Sequence, residues 1–457
     1  MLMRRLLGLW VALACFLPSG TASAQTAWLA DRARSEGPGF RVGDFELHPG
    51  IGVEVGWDSN LFFTEDNAAG MRSRVDSGIL RVTPHFLFST IGQQRRSEGE
   101  ARDTGSTPPT IAFRGGVSAA YFEFFADPNR RNVELMGSLR LQVLPERPFS
   151  FSVFNEFQRS IRPFTENSAV GASQARIANQ AGLDLAFQTD GGVVQVRAGY
   201  VFGLDFFEDN RFAYGRNFTH TVNLVESFRF LPQTALVHDT TLFVQDYFQY
   251  NPLTAPALLN DNVRLRTRLG LNGAITESIS LQGMVGYAAG FFPGSIVAGV
   301  THDQDYDSIV AQVELRWQIQ EGMRLALGYD RDFFASFVGN YYSRDRGYLN
   351  FQMLLAGAFL LGADFEVGYL DFGQIRGGAA MPIIDTTGGV RQDVRLAGGL
   401  FAEYRFTDWL AVNATFRYQG QITSYQYAIV DGTGMSVFLD PAQFNKFEVF
   451  GGVRVFY

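Results

Sequence analysis

Five histidines, one cysteine and 46 acidic residues are the side chains in this 457-residue chain with the most chemical range, and their spacing limits what they can do. His48, His85, His220, His238 and His302 stand far apart, and none belongs to an HxxxH-type pair that could grip a metal. The densest polar run is Thr301-His302-Asp303-Gln304-Asp305-Tyr306-Asp307. Three alternating Asp beside a His could hold Ca²⁺, but the run lacks the Gly turn and distal Glu of a calcium hand, so a solvated acidic loop is the preferred reading. Cys15 is the only cysteine. It falls in an apolar N-terminal run, so the mature chain can form neither disulfides nor thiolate sites. No catalytic constellation stands out, and the sequence is read as a protein without cofactor or enzymatic activity.

The charged residues instead fall in rows. Arg264, Arg266 and Arg268 alternate with Val263, Leu265 and Leu269. Glu314 and Arg316 alternate with Val313, Leu315 and Trp317. Arg395, Glu403 and Arg405 share a row with Asp393, opposite Val394, Leu396, Leu400, Tyr404 and Phe406. Arg417 sits among Asn413, Thr415, Gln419 and Gln421. Period-2 alternation is the pattern of a strand with two unlike faces. A charge on the lipid side of a membrane strand costs about 2–4 kcal/mol at mid-bilayer, so these polar rows are assigned to a water-filled lumen and the apolar rows to lipid.

The same alternation recurs along the chain and predicts an all-β fold: a transmembrane antiparallel up-and-down β-barrel of 18 strands, the first over 45–57 and the last over 444–457. Aromatic clusters recur, beginning with Leu61-Phe62-Phe63; from Phe124-Phe125 through Phe164, Phe206-Phe207, Tyr247-Phe248, Phe291-Phe292 and Phe333-Phe334 to Phe372 the interval stays near roughly 41 residues, the length of a hairpin plus a loop. They are expected to form a girdle at one interface. Short turns (Gln188-Thr189-Asp190-Gly191, Gln320-Glu321-Gly322) alternate with long loops (Pro293 to Asp305, Gly373 to Gln392), the asymmetry of outer-membrane barrels. A soluble propeller also repeats near 40 residues, but gives no reason for aromatics at one end only. Barrels of 16–18 strands leave an aqueous channel.

Residues 1–24 carry Arg4 and Arg5, an apolar run and Ala22-Ser23-Ala24, which reads as a secretory signal too short to span a membrane. Residues 25–43 form a periplasmic leader and 44–457 the barrel. Removing the signal takes two Arg and no acid, moving the charge from −8 to −10, which argues against a nucleic-acid partner. Ser89 to Pro109 is long and polar on the short-turn side, and is read as a disordered loop or a docking segment for a periplasmic partner.

Phe444 to Tyr457, FNKFEVFGGVRVFY, ends on an aromatic residue and places Phe447, Val449, Val453, Val455 and Tyr457 in one apolar row. It resembles the closing strand of outer-membrane barrels, and the resemblance implies that this row is the signal read by the barrel assembly machinery. Gly43 to Thr64, GDFELHPGIGVEVGWDSNLFFT, with Asp58-Ser59-Asn60-Leu61 ending its first strand, resembles the first hairpin of barrels found with exopolysaccharide assembly systems, including myxobacterial ones. The resemblance implies a porin-like channel that passes polysaccharide across the outer membrane from a periplasmic polysaccharide-export protein. Export is therefore the expected function. The alternatives are a porin for small solutes and a non-conducting envelope barrel. Outer-membrane lipid, the assembly machinery and the polysaccharide are the expected partners.

Overall fold

A computed structural model describes residues 37, 39–65, 74–90, 110–145, 148–161, 175–248, 261–292, 295–297, 300–302, 305–336, 340–373, 391–430 and 437–457. The expected signal at 1–24, most of the leader and residues 91–109 lie outside them.

Eighteen long strands make the wall. They are β1 (Phe45–Asp58), β2 (Ser77–Thr90), β3 (Ile111–Phe124), β4 (Asn132–Val143), β5 (Phe149–Ser160) and β6 (Arg176–Gln188). Next come β7 (Val194–Phe207), β8 (Asn217–Leu231), β9 (Thr234–Tyr247), β10 (Asn262–Ala274), β11 (Ile279–Phe291) and β12 (Tyr306–Gln320). The last are β13 (Met323–Ala335), β14 (Tyr341–Leu355), β15 (Phe359–Phe372), β16 (Gln392–Thr407), β17 (Leu410–Thr423) and β18 (Phe444–Phe456). Each pairs antiparallel with its neighbours in sequence. β18 then pairs with β1 from Gly50↔Phe456 to Asp58↔Glu448, which closes the sheet on itself. Closure leaves no open edge in the wall.

The expected strands all form. β14 begins at Tyr341, because Tyr341 and Tyr342 pair with Ala335 and Phe334 across a short connection. Two short hairpins not expected from the sequence stand in the long loops, Ser295–Val297 with Val300–His302 and Gln426–Val430 with Val437–Pro441. The tight turn at Glu321-Gly322 needs glycine, because Gly322 has φ +77°.

The aromatic clusters do not form a simple girdle. Consecutive aromatics on a strand point to opposite faces, so each doublet splits. Phe125 and Phe291 are exposed outside, whereas Phe207, Phe292 and Phe372 are buried. Tyr342, Leu370, Phe372 and Tyr425 pack together at the long-loop rim, as do Phe292, Tyr306 and Val310.

Two devices join the chain ends. The Asp58-Ser59-Asn60 turn is tied to the closing strand. Asp58 accepts from the Asn60 N–H at 2.8 Å, and the Asn60 amide donates to the Thr64 and Asn445 carbonyls at 2.7 and 3.0 Å. The Ser59 N–H donates to the Phe447 carbonyl at 3.0 Å and the Ser59 hydroxyl accepts from the Phe447 N–H at 2.9 Å. At the opposite rim a three-residue strand, Phe40–Val42, folds back on Phe45–Leu47 and continues the β1 edge beyond the end of β18. The Tyr457 N–H donates to the Pro49 carbonyl at 2.9 Å, and the Phe40 ring lies 4.2 Å from the Tyr457 ring.

Candidate functional site: the lumen wall

Strand register sorts the side chains. Ile309, Val313 and Trp317 on β12 are exposed outside, while Glu314 between them is buried. All nine of the lumen candidates named from the sequence fall on this inner face. Contacts that skip a strand mark the face as the concave one. The Arg266 guanidinium on β10 reaches Asp332 on β13, Tyr348 on β14 donates to Glu314 on β12, and the Arg454 guanidinium on β18 meets Glu403 on β16 at 2.7 Å.

Most of the nine are already engaged by other wall residues. Arg268 binds Asp239 on β9 through Nε at 3.1 Å, and Gln312 on β12 through Nη1 at 3.0 Å. Arg316 pairs with Glu314. Arg395 donates to Gln421 at 3.0 Å. Glu403 also receives Arg405 at 3.3 Å, and Arg417 lies 4.0 Å from Glu448. Charge-assisted pairs of this kind fix side-chain geometry, and within a partly buried wall they are less screened than surface pairs. Arg264 differs. It has no ion pair among the described residues, its Nε has no hydrogen-bond partner there, and its guanidinium lies 3.9 Å from the Phe243 ring centroid.

The wall is not uniform around the barrel. Near the closing seam it is a dense polar layer. Arg81 donates to Glu54 at 2.7 Å, Asn413 donates to the other Glu54 oxygen at 2.7 Å, and Arg81 lies 4.4 Å from the Phe450 ring. Lys446 contacts Asp58 at 2.6 Å and Glu448 at 3.2 Å, with the Phe63 ring 4.2 Å away. Glu403 is 1 % exposed and Asp393 0 %. On β3 to β6, two to five strands along from β1, inward-facing Arg114, Ser138, Glu156 and Gln180 are exposed. Water therefore reaches the inner wall well inside the barrel on that side.

Asp239, Asp332, Arg81 and Lys446 were not among the residues expected in the lumen. The sequence did hold a signal for Lys446, the only lysine of the chain, and for Glu54 and Asp58, which share the polar row of β1. In the acidic run near His302, Asp305 accepts from the Phe292 N–H at 2.7 Å and Asp307 from the Tyr287 hydroxyl at 2.6 Å. Asp303 and Gln304 lie outside the described residues. No group of side chains suited to a metal occurs among the described residues.

An apolar exterior around a closed wall with a polar, hydrated interior fits one solvent arrangement: lipid outside and water within. The chain is an integral β-barrel of the outer membrane. No protein-family model matches it, and no curated protein does. Among solved structures it is similar to the FrpB iron transporter of Neisseria meningitidis, at 10% identity and a TM-score of 0.43, covering 92% of this chain and 82% of that one. It is also similar to Pseudomonas aeruginosa OccK2 (OpdF), at 12% identity and 0.43, covering 90% and 98%. P. aeruginosa OpdK, crystallised with vanillate, matches at 9% and 0.43, covering 90% and 99%. At these values the likeness is general, to large barrels.

Proposed function

We propose that this barrel is a passive channel for small hydrophilic solutes. The observation that supports it is the exposure of Arg114, Ser138, Glu156 and Gln180 on the inner face of consecutive strands, a water-accessible stretch of the lumen wall. The wall near the closing seam is occupied by paired charges, which gives the lumen a fixed polar lining. Such a lining favours solutes that exchange hydration for brief contacts with arginines and carboxylates. Purified barrel in planar bilayers is expected to give stepwise ohmic conductance. A folded preparation that never conducts would overturn the reading. Arg264→Glu reverses a lumen charge that has no ion pair among the described residues, and its ion selectivity is expected to move toward cations.

Polysaccharide export is the second reading. It rests on the resemblance of Gly43 to Thr64, and on arginine–aromatic pairs such as Arg264 on Phe243 and Arg346 on Tyr348, flat faces of the kind on which sugar rings stack. Surface polymer on a clean deletion strain separates the two. Loss of surface polymer with intracellular synthesis intact supports export; unchanged polymer sinks it.

A further inference from the structure

The outward rows over much of the barrel are apolar at mid-strand: Leu47, Pro49, Ile51, Val53 and Val55 on β1, and Leu396, Gly398, Leu400 and Ala402 on β16. The arc from β5 to β10 is different. Asn155 on β5 and Asn179 on β6 exchange amide hydrogen bonds at 3.2 Å. The Tyr200 hydroxyl on β7 meets His220 Nδ1 on β8 at 2.8 Å. A four-residue cluster follows on β8, β9 and β10. Glu226 lies 2.9 Å from His238 Nδ1, His238 Nε2 lies 3.0 Å from the Thr267 hydroxyl and 3.2 Å from that of Thr240, and the two hydroxyls are 3.0 Å apart.

Register places this cluster on the outer face. Glu226 is directly opposite His238, and Thr240 opposite Thr267. The same rows carry Val222, Leu242, Leu265 and Leu269, all exposed outside. Glu226 lies five residues above Leu231, where β8 ends, well within the height of the apolar band. Hydrocarbon offers a carboxylate, an imidazole and two hydroxyls nothing to bind, and ionisable side chains at membrane depth otherwise face protein or water.

We propose that the outer wall from β5 to β10 docks against a second copy of this chain within the membrane. A two-fold interface is self-complementary, so one patch must hold both partners of every polar contact. This patch does: acid beside imidazole, hydroxyl beside hydroxyl, amide beside amide. The exposed Val222, Leu242, Leu265 and Leu269 supply close apolar packing around them, as membrane interfaces between protein surfaces require. The acid–imidazole–hydroxyl order is also that of a hydrolytic triad, but the backbone N–H groups beside it are committed to the β8–β9–β10 ladders. No oxyanion site is left, and catalysis is not the reading these contacts favour.

Cross-linking in intact outer membranes tests the proposal. In a Cys15→Ser background, Val222→Cys, Leu242→Cys and Leu269→Cys are each treated with a short bis-maleimide. Leu400→Cys and Val453→Cys report on the opposite wall. At least one patch position is expected to give a band of twice the monomer mass, and neither opposite-wall position should do so. No dimer from any patch position, or equal dimer from both walls, overturns the proposal. Glu226→Leu with His238→Leu, added to the position that cross-links best, is expected to abolish that band while the barrel still shows its heat-dependent shift on gels. A band that survives in this variant overturns the role given to the polar cluster.

Discussion

Lys446 shows how much of the wall rests on single charges. It stands between Asp58 and Glu448, is 5 % exposed, and holds the two chain ends together from the inside. Removing one partner of a buried pair leaves the other charge uncompensated, at about 3–5 kcal/mol. Lys446→Met is therefore expected to lower the temperature at which the barrel unfolds on heated gels, and Asp58→Asn added to it should recover part of the loss. Asn60→Ala removes the amide's donations to the Thr64 and Asn445 carbonyls and the bond its Oδ1 accepts from the Thr64 N–H at 3.0 Å, and is expected to cost about 1–3 kcal/mol by the same measurement. At this scale the sequence was informative about sides and silent about partners. Alternation alone put Arg264, Arg266 and Arg268 inside, because a strand has only two faces. It could not pair Arg266 with Asp332, since those strands touch only through the curvature of the closed wall. It did not single out the outward Glu226 and His238.

The strands themselves were legible because each carries its own two-faced pattern, and the short turns carry their own turn residues. What escaped were pieces whose partner exists only after folding. Phe40–Val42 becomes a strand because the β1 edge runs past the end of β18, a fact set by register and not by its three residues. The girdle expected from the aromatic doublets keeps only their outward members, such as Phe125 and Phe291, since neighbouring residues on a strand cannot share a face. Strand-to-strand spacing gives a paired prediction on β11. A Cβ at Gly286 would lie 1.9 Å from the Thr267 carbonyl oxygen, whereas one at Gly283 meets nothing within 4 Å. Gly286→Ala should force the β10–β11 ladder apart and cost about 1–3 kcal/mol. Gly283→Ala should stay within about 0.5 kcal/mol of the parent. Thermal shift of the detergent-refolded protein compares the two directly.

On the scale of the whole molecule, the barrel is lopsided: a packed polar layer along the closing seam and a wetted inner wall over β3 to β6. The sequence indicated a lumen but not this asymmetry, because burial inside a barrel depends on which distant strands lean together. The asymmetry predicts where substitutions change conductance. Glu156→Arg, on the wetted side, should alter ion selectivity in planar bilayers, while Arg405→Gln at the seam should leave selectivity near the parent value and reduce thermal stability. The two ends of the described chain meet at one point on the short-turn rim, with Phe40 against Tyr457. A ring of strands has no first member. A circular permutant that links the old ends by a few residues and is cut between β9 and β10 keeps every rung of the wall, so it should refold in detergent to a barrel of parental spectrum. If the row that closes at Tyr457 is the assembly signal expected from its resemblance to closing strands, the permutant should nonetheless fail to reach the membrane in cells, and folding information and delivery address would be separated in one molecule.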